Sequence, residues 1–185
     1  MDPVGDFIDA CIDRPDEARR LATADPGLLH ATRIGSPMLH WMVIEDFAKG
    51  VETLLDLGVA VDATDRAHRT PLHHASVLGR LGCARLLLRR GADPNAYNDH
   101  LGENPLSCAA LSPHLDVILV LLGAGARGDY VLPTTATLFG AMSTWPDHSR
   151  RTVVQELERL GVTRESVFAK LADHGYESPA EAFGW

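Results

Sequence analysis

Nine histidines and three cysteines are the residues of this chain best suited to chemistry. His68, His73 and His74 lie close enough in sequence to resemble a metal cluster. Zinc sites, however, use characteristic pairs such as CxxC or HExxH, and neither pair occurs. No metal is therefore expected. Cys108 with His74 or His100 would supply a thiol nucleophile and a base. A thiol becomes reactive when its pKa is lowered by a cation or a helix N-terminus, and the sequence offers Cys108 neither. The nucleophile-elbow pattern GxSxG, the phosphate loop GxxxxGK[ST] and a strand-linked GxGxxG are all missing. Gly123-Ala124-Gly125-Ala126-Arg127-Gly128 is glycine-rich, but it ends an apolar helical run instead of opening one, so it makes no phosphate cradle. No cofactor is expected.

Charge narrows the partners. Seventeen Lys and Arg against 25 Asp and Glu leave a net charge of −8. Such a chain has no basic stripe to neutralise nucleic-acid phosphates. The cluster Arg80, Arg85, Arg89 and Arg90 is diluted by its surroundings. A hydrophobic fraction of 45% and a charged fraction of 23% fit a folded chain. The longest apolar run, Val117 to Leu122, falls far short of the roughly 18 residues that span a bilayer. Met1 to Asp6 carries no positive charge, and Asp9 interrupts the apolar residues that follow, so a secretory signal is not expected. Three cysteines without CxxC spacing fit reduced thiols, and the expected location is cytoplasmic.

The elements that position these residues repeat. Leu54-Leu55-Asp56-Leu57-Gly58-Val59-Ala60-Val61-Asp62-Ala63 returns as Leu87-Leu88-Arg89-Arg90-Gly91-Ala92-Asp93-Pro94-Asn95-Ala96, 33 residues later. Leu39-His40 returns as Leu72-His73 at the same spacing, and Pro71-Leu72 as Pro105-Leu106 at 34. Each period predicts two helices. The first follows a proline, which pre-sets φ and lacks a donor that the first turn would orphan. The second carries apolar residues three and four apart: Val51, Leu54 and Leu55; Ala84, Leu87 and Leu88; Ile118, Leu121 and Leu122. Gly58, Gly91 and Gly125 stand where a left-handed C-cap is required.

Thr70-Pro71-Leu72-His73-His74-Ala75, then Gly79, then Leu86 to Ala96, resembles a nearly complete ankyrin repeat. Residues 32–64 form a second copy, with Pro37-Met38 in place of Thr-Pro and Asp46-Phe47 in place of Gly-His. Residues 99–131 form a third, with Asn104-Pro105-Leu106-Ser107 in place of Thr-Pro-Leu-His and Pro113-His114 in place of Gly-His. The resemblance implies an all-α solenoid of stacked helix-turn-helix pairs joined by short hairpin-like connections. The expected domain spans 1–161, with repeats at about 5–31, 32–64, 65–98, 99–131 and 132–161. Asp6 to Ile12 and Pro15 to Ala24 are expected to form the N-terminal helix pair. Thr137 to Ala141 and Val153 to Leu160 are expected to form the last repeat, joined by a long connection from Ser143 to Arg150. Residues 162–185 are expected to be a helical extension or cap, with Phe168, Leu171, Phe183 and Trp185 covering the final core edge. His40 and His73 occupy the repeat's own histidine position, where the imidazole is expected to bond neighbouring backbone.

The resemblance also implies a protein-binding scaffold whose concave face combines hairpin tips with first-helix surfaces. In this register the tips carry Arg33 and Ile34; Arg66 and Arg69; His100, Leu101 and Glu103. The first helices present Trp41, Ile44 and Glu45; His74, Val77 and Leu78; Cys108 and Leu111. Trp41, Ile44, Val77, Leu78 and Leu111 lie outside the repeat's core pattern, and a contiguous apolar patch marks a binding site. The arginines beside it suit a carboxylate rim. The expectation is a non-catalytic interaction module, an adaptor, inhibitor or assembly factor, whose apolar groove with a basic edge binds a segment of another protein. The alternative is a carrier of a small apolar ligand, or an unusual enzyme, using the same groove with His74, His100, Glu45 or Glu103 as acid–base groups and the Trp145 connection as a lid.

Overall fold

A computed structural model describes residues 2–112, 114–127 and 145–161. The chain divides into two compact units, Met1–Asp93 and Pro94–Trp185. Each is described by itself.

The first unit opens with α1 (Pro3–Asp13) and α2 (Pro15–Ala24), each begun by a proline in its first turn, followed by a 3-10 turn over Pro26–His30. A hairpin follows, with β1 (Thr32–Arg33) antiparallel to β2 (Ser36–Pro37). Next come α3 (Met38–Ile44), α4 (Ala48–Asp56), α5 (Pro71–Val77) and α6 (Leu81–Arg89). First helices pack on each other, α3 on α5, and second helices likewise, α4 on α6. α1 packs on α2 and on α4, and Thr53 of α4 donates to the Cys11 carbonyl of α1 at 2.8 Å. The expected N-terminal pair is therefore present, and its first helix lies beside a second helix. Phe7, Ala10, Cys11, Met42, Val51, Leu54, Leu72, Ala84 and Leu87 form the buried interior.

The second unit contains α7 (Pro105–Leu111), α8 (Leu115–Gly123) and α9 (Asp147–Arg159). α8 packs on α7 and on α9, burying Leu106, Ile118, Leu121, Leu122, Val153 and Leu157. Here one expectation fails. Asp147 to Arg150 are helical and Trp145 is buried, so that part of the connection is no free lid. The cause is burial of the indole, worth about 1.5–3 kcal/mol for a large apolar side chain. Thr137 to Ala141 and residues 162–185 lie outside the described residues.

The glycines end the second helices as expected. Gly58, Gly91 and Gly125 have φ of 91°, 88° and 90°. Each closes the paired Schellman bonds. In the first, the Val59 amide donates to Leu54 and the Gly58 amide to Leu55, both at 3.1 Å. Starts of first helices differ more. Thr70 and His73 form a reciprocal capping box on α5, and Asn104 and Ser107 form one on α7. Pro37 gives α3 no side-chain cap. An all-α repeat fold results, with β-structure among the described residues confined to the hairpin and one bridge, Asn98 to Glu103.

Candidate functional site

The hairpin between β1 and β2 pairs Arg33 with Ser36, which leaves Ile34-Gly35 as its two-residue loop. Their φ values are 51° and 81°. Two consecutive left-handed residues make a type I′ turn, the tight loop whose twist matches a hairpin and whose first position favours Asn or Asp. Isoleucine there is strained, because a β-branched Cβ crowds the following carbonyl in the left-handed region. Ile34 is also 88% exposed, so no intramolecular burial offsets the strain. Arg33 beside it approaches the exposed Asp2 carboxylate at 3.6 Å, an ion pair of little worth.

The second tip is held differently. Asp65 Oδ1 accepts from the Ala67 amide at 2.8 Å and the Arg69 amide at 3.0 Å. Asp65 Oδ2 lies 2.8 Å from His74 Nε2. Arg69 turns its carbonyl to His40 Nε2 at 2.9 Å. Both acceptors lack hydrogens, so each imidazole carries its proton on Nε2. The His40 and His74 rings meet edge to face at 5.6 Å. Burial pushes His40 below its ordinary value, against the opposing pull of the Arg69 carbonyl. Burial alone would raise Asp65, but the hydrogen bonds from His74 and from the Arg69 and Ala67 amides outweigh it and hold the carboxyl low. His40 and His73 thus do the backbone bonding expected of them, with His73 Nδ1 accepting from the Thr70 amide at 3.2 Å.

The first-helix residues divide. Leu78 is 38% exposed and Glu45 is exposed; Trp41, Ile44, His74 and Val77 are half-buried. The Trp41 ring packs against Phe47 at 5.7 Å. Arg66 is exposed at the second tip and Arg69 is half-buried. Within this unit the expected apolar and basic residues thus sit on α3, α5 and the two tips.

In the second unit, Asn98 takes the place of Asp65. Its Oδ1 accepts from the His100 amide at 3.1 Å and from the Leu101 amide at 3.3 Å, and its amide donates to the Glu103 carbonyl at 2.9 Å. His100 and Leu101 are exposed, Glu103 is half-buried, and Leu111 is 64% exposed. Cys108 requires a correction. Expected on the surface, it is 1% exposed, because α7 is buried from Pro105 through Ala110. Its thiol cannot meet a partner or serve as a surface nucleophile. Phe47, 36% exposed and packed on Trp41, was missed. Its place where the repeat pattern has histidine was the available signal.

The family model for ankyrin repeats (3 copies) matches residues 10–98 and 39–131, most of the chain. The chain belongs to the ankyrin repeat family. It is 39% identical over 62 residues to mouse (Mus musculus) ankyrin repeat and IBR domain-containing protein 1, and those residues are 34% of this chain and 6% of that protein. It is 36% identical over 118 residues to human (Homo sapiens) neurogenic locus notch homolog protein 1, covering 63% of this chain and 4% of that protein. It is 45% identical over 56 residues to mouse (Mus musculus) ankyrin repeat and SOCS box protein 16, covering 30% of this chain and 12% of that protein. The chain thus spans a small fraction of these relatives. Ankyrin repeats are generally protein–protein interaction modules. Among the described residues no helix is long and apolar enough to cross a membrane, and no three His, Cys, Asp or Glu side chains are grouped to hold a metal ion.

Proposed function

We propose that this ankyrin repeat protein is a non-catalytic binding module, cytoplasmic in location. It acts as an adaptor, inhibitor or assembly factor and grips an acidic, amphipathic segment of another protein. The binding face in the first unit is the α3–α5 surface with its two tips. Ile34, Leu78 and the edges of Trp41, Ile44 and Val77 meet the apolar side of the partner. Arg33, Arg66 and Arg69 meet its carboxylates, with Glu45 and His74 at the margin. His100, Leu101, Glu103 and Leu111 supply a further contact surface on the second unit. The repeat domain is assigned to 1–161, with 162–185 an extension.

The observation that carries the reading is Ile34. A strained, β-branched, solvent-exposed residue occupies a turn position where Asn is more stable. With 88% of the side chain exposed, burial within the chain does not offset that cost, so a contact outside the chain accounts for it. Burying one Ile side chain contributes about 1.5–3 kcal/mol, or roughly ten- to a hundredfold in affinity.

The test begins with affinity purification of the tagged protein and mass spectrometry. Each stoichiometric protein recovered is then produced pure and its Kd measured. Ile34→Asn and Leu78→Ala are each expected to weaken binding about tenfold or more. Unchanged affinity of the pure partner for both variants would refute this face.

A further inference from the structure

The second tip carries more than the repeat requires. The ordinary repeat histidine, His40 of α3, holds the Arg69 carbonyl. A second histidine, His74 of α5, holds the Asp65 carboxylate that in turn holds the Ala67 and Arg69 amides. The loop from Asp65 to Arg69 is therefore fastened by two imidazoles that touch edge to face. In the second unit the same places are taken by Asn98 and Cys108, which do not form an imidazole–carboxylate pair. Among the described residues the pair belongs to this one tip.

We infer that His40, His74 and Asp65 form a proton-sensitive latch, which holds the tip at neutral pH and releases it in mild acid. Histidine is the side chain whose ordinary range lies just below neutrality. A single carboxylate balances a single imidazolium. Asp65 bonds His74 directly, and the His74 ring meets His40 edge to face, so a charge on one imidazole acts on the other. The charged groups acting on His40 are His74, from α5, and Asp65, from the loop; α4 and the β-hairpin, which also pack on α3, contribute none. The Arg69 and Ala63 carbonyls favour a proton on His40, and its complete burial opposes one. The second proton is taken up when His40 leaves its buried site. Leaving breaks its bond to the Arg69 carbonyl, and the loop bearing Arg66 opens. The consequence for partner binding rests on the function proposed above; the latch does not.

Amide hydrogen exchange on the full chain reads the latch without any partner. The Ala67 and Arg69 amides report the loop; Val59 and Ala92, bonded in helix C-caps, serve as internal references. Protection of Ala67 and Arg69 is expected to fall at least tenfold between pH 7 and pH 5 relative to the references. His74→Gln keeps a donor for Asp65 but cannot become charged, and it is expected to retain protection at pH 5. Asp65→Asn keeps an acceptor for both amides but removes the balancing charge, and it is expected to move the loss to higher pH. Equal protection at pH 7 and pH 5 in the unaltered chain overturns the inference, as does an identical loss in His74→Gln. Failure of partner binding with the exchange pattern intact would count against the proposed function alone.

Discussion

Replacing Ile34 by Asn should stabilise this protein, although it removes a large apolar side chain. The register Arg33↔Ser36 confines the turn to Ile34 and Gly35, and φ of 51° at Ile34 is left-handed. A non-glycine residue there costs about 1–2 kcal/mol, and β-branching makes isoleucine a poor occupant. Asn is the preferred first residue of a type I′ turn, so most of that cost is relieved. The loss is small. With 88% of Ile34 exposed, about a tenth of the ~1.5–3 kcal/mol of full burial is forfeited. The balance is a gain of about 1 kcal/mol, or roughly 2–4 °C in Tm for a chain of this length. Ile34→Gly should gain less, because glycine adds freedom to the unfolded chain. Ile34→Val, equally branched, should gain nothing. Urea and thermal unfolding followed by circular dichroism measure all three, with an unchanged denaturant slope confirming that only stability moved. An Asn variant no more stable than the parent would refute the strain argument, and with it the reason for looking outside the chain for the partner of Ile34.

Asp62→Asn should also stabilise, by about 0.5–1 kcal/mol, the net worth of one hydrogen bond. Asp62 accepts from the Asp93 amide at 3.1 Å, whereas Asn95, one repeat later, both accepts from the Arg127 amide and donates to the Gly125 carbonyl. Asn at 62 keeps the acceptor and gains a donor for Gly91, the counterpart of Gly125. Burial, then the nearby Asp93 charge, raises the Asp62 pKa, so the parent gains stability as pH falls through that raised value; the Asn variant, probed by urea midpoints over the same range, should not. His40 has the opposite sign. Its folded pKa is lowered by burial, so the unfolded chain binds the proton first and stability falls as pH drops below about 6.5. Asp65, also held low, adds a further loss as pH falls through its own depressed value, below the ordinary 3.8; a flat urea midpoint between pH 7 and pH 5 would contradict the His40 assignment. Cys11, Cys83 and Cys108 are buried, and burial pushes Cys11 and Cys83 up to about 12. A thiol reagent such as Ellman's should label all three slowly in native buffer and rapidly in urea; fast native labelling of Cys108 would overturn its burial.

The sequence alone determined the repeat and its punctuation. Spacing of 33 and 34 residues, the apolar triplets and the glycines at 58, 91 and 125 are local properties. A left-handed C-cap needs glycine wherever the chain sits, so the helix ends were legible without knowing what packs on what. Burial of individual side chains was not legible, because it depends on neighbours distant in sequence. Cys108 follows the same register as the half-buried His74, yet α7 is buried around it; Trp145 lies in a polar stretch, yet is buried. Strain at Ile34 is likewise decided by the tertiary structure. Residues 34 and 35 carry no composition that announces a type I′ turn, and only the pairing of Arg33 with Ser36 forces both into left-handed φ. The Asp65–His74–His40 cluster was hidden for a related reason. His74 and His40 were visible singly as a groove residue and a repeat histidine, and packing of α3 on α5 decided that the imidazole bonded to the Asp65 carboxylate meets a second imidazole edge to face.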